Sequence, residues 1–95
     1  MSVPHILVHE HEDNVGVVVV EGLKAGTDML GVVTADDSTF RLTAKADVPI
    51  GHKVALKDLE AGDSAIKYGE DIGRIIDAVP QGGHVHVHNL KTKRW

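Results

Sequence analysis

Short runs of β-branched and aliphatic residues fill this chain, broken about every eight to twelve positions by Gly, Pro, Asp or Asn. The runs at 6–8 and 15–20 flank Asp13-Asn14, a turn-forming pair. Those at 29–34 and 39–44 flank Asp36-Asp37-Ser38, which reads as a hairpin loop. In the second arm Phe40 and Leu42 alternate with Arg41 and Thr43, the pattern of a half-buried strand. Pro49 and Gly51 introduce a further strand at 52–56, and 57–61 is the best place for a short helix, stopped by Gly62. Strands at 66–68, 72–78 and 84–89 complete the set, punctuated by Gly69 and by Pro80-Gln81-Gly82-Gly83. The pattern predicts a mostly β, mostly antiparallel fold over 1–95 with at most one short helix. A short internal echo agrees with it. Val20-Glu21-Gly22-Leu23-Lys24-Ala25-Gly26 aligns with Leu56-Lys57-Asp58-Leu59-Glu60-Ala61-Gly62, each an apolar strand end followed by a leucine and Ala-Gly.

Composition narrows the function. Ninety-five residues make one small domain, which buries about 60–65% of its unfolded surface and has little room for an enclosed active-site cavity. The absence of cysteine removes disulfides and thiolate metal sites and fits a reducing cytosol. A net charge of -4, with no basic stripe carrying interleaved aromatics, argues against nucleic-acid binding. The longest apolar run, 15–20, is too short to cross a bilayer, and the N-terminus lacks a charged segment before an apolar core. A soluble, cytoplasmic protein is expected. Phe40, Tyr68 and Trp95 are the whole aromatic complement. So thin a core points to a partner, or to self-association of the isolated chain.

The chemistry concentrates in Gly82-Gly83-His84-Val85-His86-Val87-His88-Asn89. In an extended strand His84, His86 and His88 share one face, and Val85 and Val87 turn into apolar packing. Neutral imidazole is both a metal ligand and a general acid/base near neutral pH. His84, His86 and His88 are candidate metal ligands, and His86 and His88 candidate proton carriers. The plainer alternative is a solvated strand face of stacked imidazoles. Asn89 is a candidate substrate contact, or else ends the strand by bonding its own backbone. Gly51-His52-Lys53 presents an imidazole and an ammonium at a strand entrance, so His52 and Lys53 are further substrate-binding candidates. His5, His9 and His11, with Glu10, Glu12 and Asp13, read as polar surface ahead of a second metal site. Asp36-Asp37 and Glu70-Asp71 read as turn residues. The tail Lys91, Lys93, Arg94 and Trp95 reads as a docking element, since Arg and Trp commonly anchor interfaces.

The segments Pro49-Ile50-Gly51-His52-Lys53-Val54-Ala55-Leu56-Lys57-Asp58-Leu59, Ile66-Lys67-Tyr68-Gly69, Ile72-Gly73 and Gly83-His84-Val85-His86-Val87-His88-Asn89 occur in this order. Together with Asp13-Asn14-Val15-Gly16-Val17 and Leu23-Lys24-Ala25-Gly26, they resemble the small SAF-type domain of the altronate and galactarate dehydratase and sulfolactate sulfo-lyase family. The resemblance covers nearly the whole chain. It implies a β-clip-like fold of bent antiparallel hairpins and a place beside a large catalytic subunit that eliminates a leaving group from a hydroxy-acid substrate. In the sugar-acid dehydratases the small domain precedes the large one in the same chain. Here the sequence given stops soon after the histidine segment, which favours a stand-alone small subunit of the sulfo-lyase type, inactive alone. A sugar-acid dehydratase subunit and a non-catalytic β-clip binding module are the alternatives. A divalent metal, Fe2+ or Mn2+, would stabilise enolate-like charge beside the substrate carboxylate. On that reading His84, His86 and His88 supply part of the ligand set, because a straight strand does not converge three rings on one ion.

Overall fold

The computed structural model describes residues 3–92. In chain order the strands are β1 (Ile6–Val8), β2 (Val15–Val18), β3 (Asp28–Val33), β4 (Ser38–Thr43), β5 (Lys53–Ala55), β6 (Ser64–Lys67), β7 (Glu70–Ile75), β8 (His84–Val85) and β9 (Leu90–Thr92). They build a six-stranded sheet, ordered β4-β3-β1-β2-β5-β8, and a three-stranded sheet, ordered β6-β7-β9. Only β1 and β3 pair in parallel; the other ladders are antiparallel, as the turn spacing predicts.

Alternation assigns the faces of the large sheet. Ile6, Val18 and Val54 project from one face into a core with Met29, Leu42 and Val48. Val15, Ala55 and Val85 project from the other face and meet Ala65, Ile75 and Leu90 of the small sheet in a second core. The small sheet therefore covers the β5–β8 end of that second face and reaches β2 at Val15.

The internal echo is larger in the structure than in the sequence. Four segments share one build: a residue in an isolated bridge, two turn residues ending in a glycine, then a new strand. The bridging residues pair as Leu23 with Val48 and Leu59 with Val79. The glycines are Gly26, Gly51, Gly62 and Gly82, with φ of 91°, 86°, 97° and 85°. Each turn closes on a backbone bond, Thr27 N–H to Lys24 C=O, His52 to Pro49, Asp63 to Glu60 and Gly83 to Pro80, at 2.8–3.1 Å. Each glycine N–H then donates to a buried residue (Ala44, Val18, Ile75 or Ala55), whose own N–H returns a bond to the residue after the glycine. The sequence hides this repetition because only the backbone is repeated. Pro49-Ile50 and Pro80-Gln81 occupy the same turn positions as Lys24-Ala25 and Glu60-Ala61.

Several expected bounds change. The helix expected at 57–61 is absent; these residues form one of the repeated turns, with Leu59 bridged to Val79. A run of four residues to the glycine closes a turn but is too short to nucleate a helix. The strand expected at 84–89 stops at Val85, and 86–89 turn back into β9, which the sequence pattern missed. Val85 is fully buried as expected, but Val87 sits on that turn and is 72% exposed. No helix among the described residues is long and apolar enough to cross a membrane. Lys93, Arg94 and Trp95, expected to dock on a partner, lie outside the described residues.

Candidate functional site

Two of the repeated turns deliver the histidines. The turn ending at Gly51 opens onto His52 and β5, and the turn ending at Gly82 opens onto His84 and β8. β8 pairs with β5 in the register Val54 to His84 and Lys53 to Val85. Directly opposed residues share a face, so His84 stands on the Val54 side, at the open edge of the sheet. One further step along the same register sets His86 against His52.

The rings bear this out. His86 stacks on His52 with centroids 3.5 Å apart and planes 11° from parallel. His52 and His84 are stacked at 5.0 Å and joined by an Nδ1···Nε2 hydrogen bond of 2.8 Å. His88 rejoins the group from the turn, tilted against His84 at 4.8 Å. The cluster thus holds the three expected imidazoles and a fourth, His52, which spacing alone placed at a strand entrance and not in the row.

Asn89 makes the turn that brings His88 back. Its side-chain oxygen accepts from His86 N–H at 3.0 Å, and its Nδ2 donates to the His84 carbonyl at 2.8 Å. His86 C=O in turn accepts from the N–H groups of Asn89 and Leu90. Asn89 is 7% exposed. Of the two roles weighed for it, the geometry supports bonding to the local backbone, so Asn89 positions the histidines.

The electrostatics favour neutral rings. Burial, followed by the charges of His88, His52 and His86, holds His84 below the ordinary histidine value of 6.5. Burial, then His52, Lys53 and His88, does the same for His86. A hydrogen bond between two imidazoles needs one protonated nitrogen and one lone pair, which a neutral His52–His84 pair supplies. His86 Nδ1 is shielded from solvent and has no hydrogen-bond partner.

Stacked rings aim their in-plane lone pairs past one another, and one lone pair is already spent on the His52–His84 bond. Among the described residues no group of three or more His, Asp or Glu side chains is arranged to hold a metal ion. The chain alone does not fit the three-histidine metal site as this arrangement stands. The N-terminal histidines are likewise dispersed: His5 Nδ1 accepts from Leu30 N–H at 3.0 Å, His11 pairs with Asp36 at 2.6 Å, and His9 lies against Tyr68.

Lys53 departs from the cluster. It lies opposite Val17 and Val85, on the other face of the sheet from the histidine rings, half-buried. Burial first, then the charge of Lys67, lowers its proton affinity. Sequence reasoning gave Lys67 no role, because the proximity of β6 to β2 is a tertiary fact with no local signal.

It also took Asp13 for no more than a turn or surface residue, whereas this side chain is 6% exposed and accepts four backbone N–H bonds, from His9, Glu10, Tyr68 and Gly69. Asn14 beside it accepts from Ile66 N–H at 2.6 Å and donates to Ser64 C=O at 2.8 Å. The pair expected as a simple turn is the brace between the two sheets.

Comparison with known proteins places the chain. It matches the altronate/galactarate dehydratase SAF domain over residues 4–93. It is 50% identical to a (2R)-sulfolactate sulfo-lyase subunit alpha of Chromohalobacter salexigens across the full length of both chains. The same-named protein of Paracoccus pantotrophus is 70% identical over 67 residues, 70% of this chain and all of the relative. Altronate dehydratase of Escherichia coli is 41% identical over 80 residues, 84% of this chain but 15% of the enzyme. A small all-β unit thus occurs both as a short subunit and as a minor part of a large enzyme, and the chain belongs to the altronate/galactarate dehydratase SAF-domain family.

Proposed function

We propose that this chain is the small subunit of a two-subunit lyase that cleaves 3-sulfolactate to pyruvate and sulfite, and that its imidazole cluster forms part of a site shared with a large subunit. The observation that carries the reading is the gathering of His52, His84, His86 and His88 at one open sheet edge, in a chain that aligns end to end with a named sulfo-lyase subunit.

The reaction needs the proton at C2, beside the carboxylate, to be removed. Its electron pair forms the C2=C3 bond as the C3–S bond breaks and sulfite leaves with that bond's electrons. Protonation of the resulting enol at C3, with loss of the hydroxyl proton, gives pyruvate. A base for the first step must be neutral and near its pKa at working pH. His86, held below the ordinary histidine value by burial, and His88, at the exposed end of the cluster, are the candidates for proton transfer, with His84 and His52 as the hydrogen-bonded pair beside them. Asn89 fixes the ring positions. Fe2+ or Mn2+ enters this reading only with ligands contributed by the large subunit. The isolated chain, with its rings on an open sheet edge, is expected to be inactive.

The match to altronate dehydratase supports a second reading, the small subunit of a sugar-acid dehydratase. Co-expression with a large subunit of the same enzyme, followed by assays of sulfite release from sulfolactate and of altronate dehydration, separates the two. Sulfite release confirms the first reading; dehydration without sulfite release replaces it with the second. Failure of both supports a non-catalytic binding module.

A further inference from the structure

The second face of the large sheet carries a partly exposed row. Val32, Leu7, Val17 and Lys53 are directly opposed across β3, β1, β2 and β5, and the row runs on to Val85 beneath the small sheet. The small sheet stops short of the other members. The space beside its edge is a groove of about 230 Å3, floored by Leu7, Val17 and Val19 and walled by Lys67 and Tyr68. Leu7 and Val19 are each 36% exposed and Tyr68 is 57% exposed, so three of the large exposed apolar side chains line one groove.

Two lysines at the groove are unpaired. Lys67 Nζ lies 5.1 Å over the Tyr68 ring, and neither Lys67 nor Lys53 makes an ion pair among the described residues. Asp13 also lines the groove, but both of its oxygens are taken by backbone N–H groups. Lys67 thus walls the aliphatic floor and Lys53 adjoins it next to Val17, while Glu10 is paired with the groove-lining His9 at 3.6 Å and Glu12 lies beside Gly69.

We infer that this groove is where the large subunit docks, by an acidic segment whose aliphatic side chains cover Leu7, Val17 and Val19 and whose carboxylate reaches Lys53 and Lys67. The inference rests on the reading above only in requiring a second subunit. A small oxyanion would need the two lysines but not the aliphatic floor beside them, and the floor is the larger part of the groove. Covering it removes exposed apolar surface and places the acid where each lysine gains a partner. Docking here leaves the histidine edge, on the other side of the sheet, free to face the active site.

The test is complex formation between the full-length chain and its large subunit, measured as an affinity at low and moderate salt. Lys67→Glu and Leu7→Asp are each expected to weaken the complex about tenfold or more, as loss of a central interface contact does. Lys67→Met, which keeps the apolar stem, is expected to weaken it less and to flatten its salt dependence. His86→Ala, with the groove intact, is expected to bind as the unmodified chain does whatever its activity, so a failed lyase assay does not bear on the result. Circular dichroism of each variant shows that it folds; should Leu7→Asp unfold, Leu7→Ser replaces it. Unchanged affinity in both Lys67→Glu and the folded Leu7 variant overturns the proposal. So does sulfate binding by the isolated chain that is lost in Lys67→Glu while the complex stays intact, since the lysines would then serve a free anion.

Discussion

His86 lies face to face on His52, with centroids 3.5 Å apart and planes 11° from parallel, although the two are far apart in sequence. Two cationic rings could not share that spacing without strong repulsion. The stack therefore requires that at least one ring stay neutral, and the burial of His86 favours that ring.

The histidines should consequently titrate in a definite order. By NMR, His84 and His86 are expected below the ordinary value of 6.5, and His11, bonded to Asp36, above it. The unfolded chain returns His84 and His86 to that ordinary value. Their stability contribution is therefore present above about 6.5 and lost as pH falls through their lowered folded values. His11 acts in the opposite sense: its contribution is present below 6.5 and lost as pH rises through its raised folded value, but it is solvent-exposed and screened. Thermal melts of the isolated chain should fall in midpoint between pH 7 and pH 5 (about neutral to about one unit and a half below the ordinary histidine value). A midpoint that rises over that interval would contradict neutral rings.

Asn89→Ala removes both side-chain bonds that hold the turn carrying His86 and His88. The loss should cost about 1–3 kcal/mol, since a partly buried N–H and a partly buried C=O each lose a partner. The His84–His88 ring contact should loosen with it, visible as a change in the His88 imidazole shifts. Thermal or urea unfolding measures the first effect and NMR the second.

Asp13→Ala tests the brace between the sheets. Four N–H groups lose their acceptor at once, and a loss of about 3 kcal/mol or more is expected. The amides of Tyr68 and Gly69 should then exchange with solvent faster than those of β3, which hydrogen-exchange measurements can resolve.

The repeated turns allow a matched comparison. Gly51 and Gly82 both sit at positive φ, but only at Gly82 would an added Cβ run into the Thr43 carbonyl; around Gly51 the space is open. Gly51→Ala should cost about 1 kcal/mol from backbone strain alone. Gly82→Ala should cost clearly more and displace His84. Equal costs from denaturant unfolding would mean that the close approach to Thr43 carries no weight.

Much of this was legible in the sequence, and what was not has identifiable causes. Alternation at Phe40-Arg41-Leu42-Thr43 gave β4, and β-branched runs gave β1 to β3, because burial of one face writes itself locally at period two. The same rule extended β8 four residues too far. Val87 continues the alternation, but the Asn89 amide captures the backbone at His84 and His86 and turns the chain. The histidines still came together because His88 returns through that turn, and because His52 enters from a second turn of the same build. The turn role of Asp13 was legible, but its reach to Tyr68 and Gly69, more than fifty residues on, was not, and Lys67 meets Lys53 only through the adjoining sheet.

The central claim is that the imidazole edge works in catalysis within an assembled enzyme. Its most direct test is the rate of sulfite release from 3-sulfolactate by the complex of large and small subunits carrying His86→Ala or His88→Ala. Complex formation is checked in the same samples. The account predicts a fall in kcat of about a hundredfold or more for at least one of the two, the usual scale for losing a general acid or base. Rates within about twofold of the unmodified complex for both variants, with the complex intact, would contradict it.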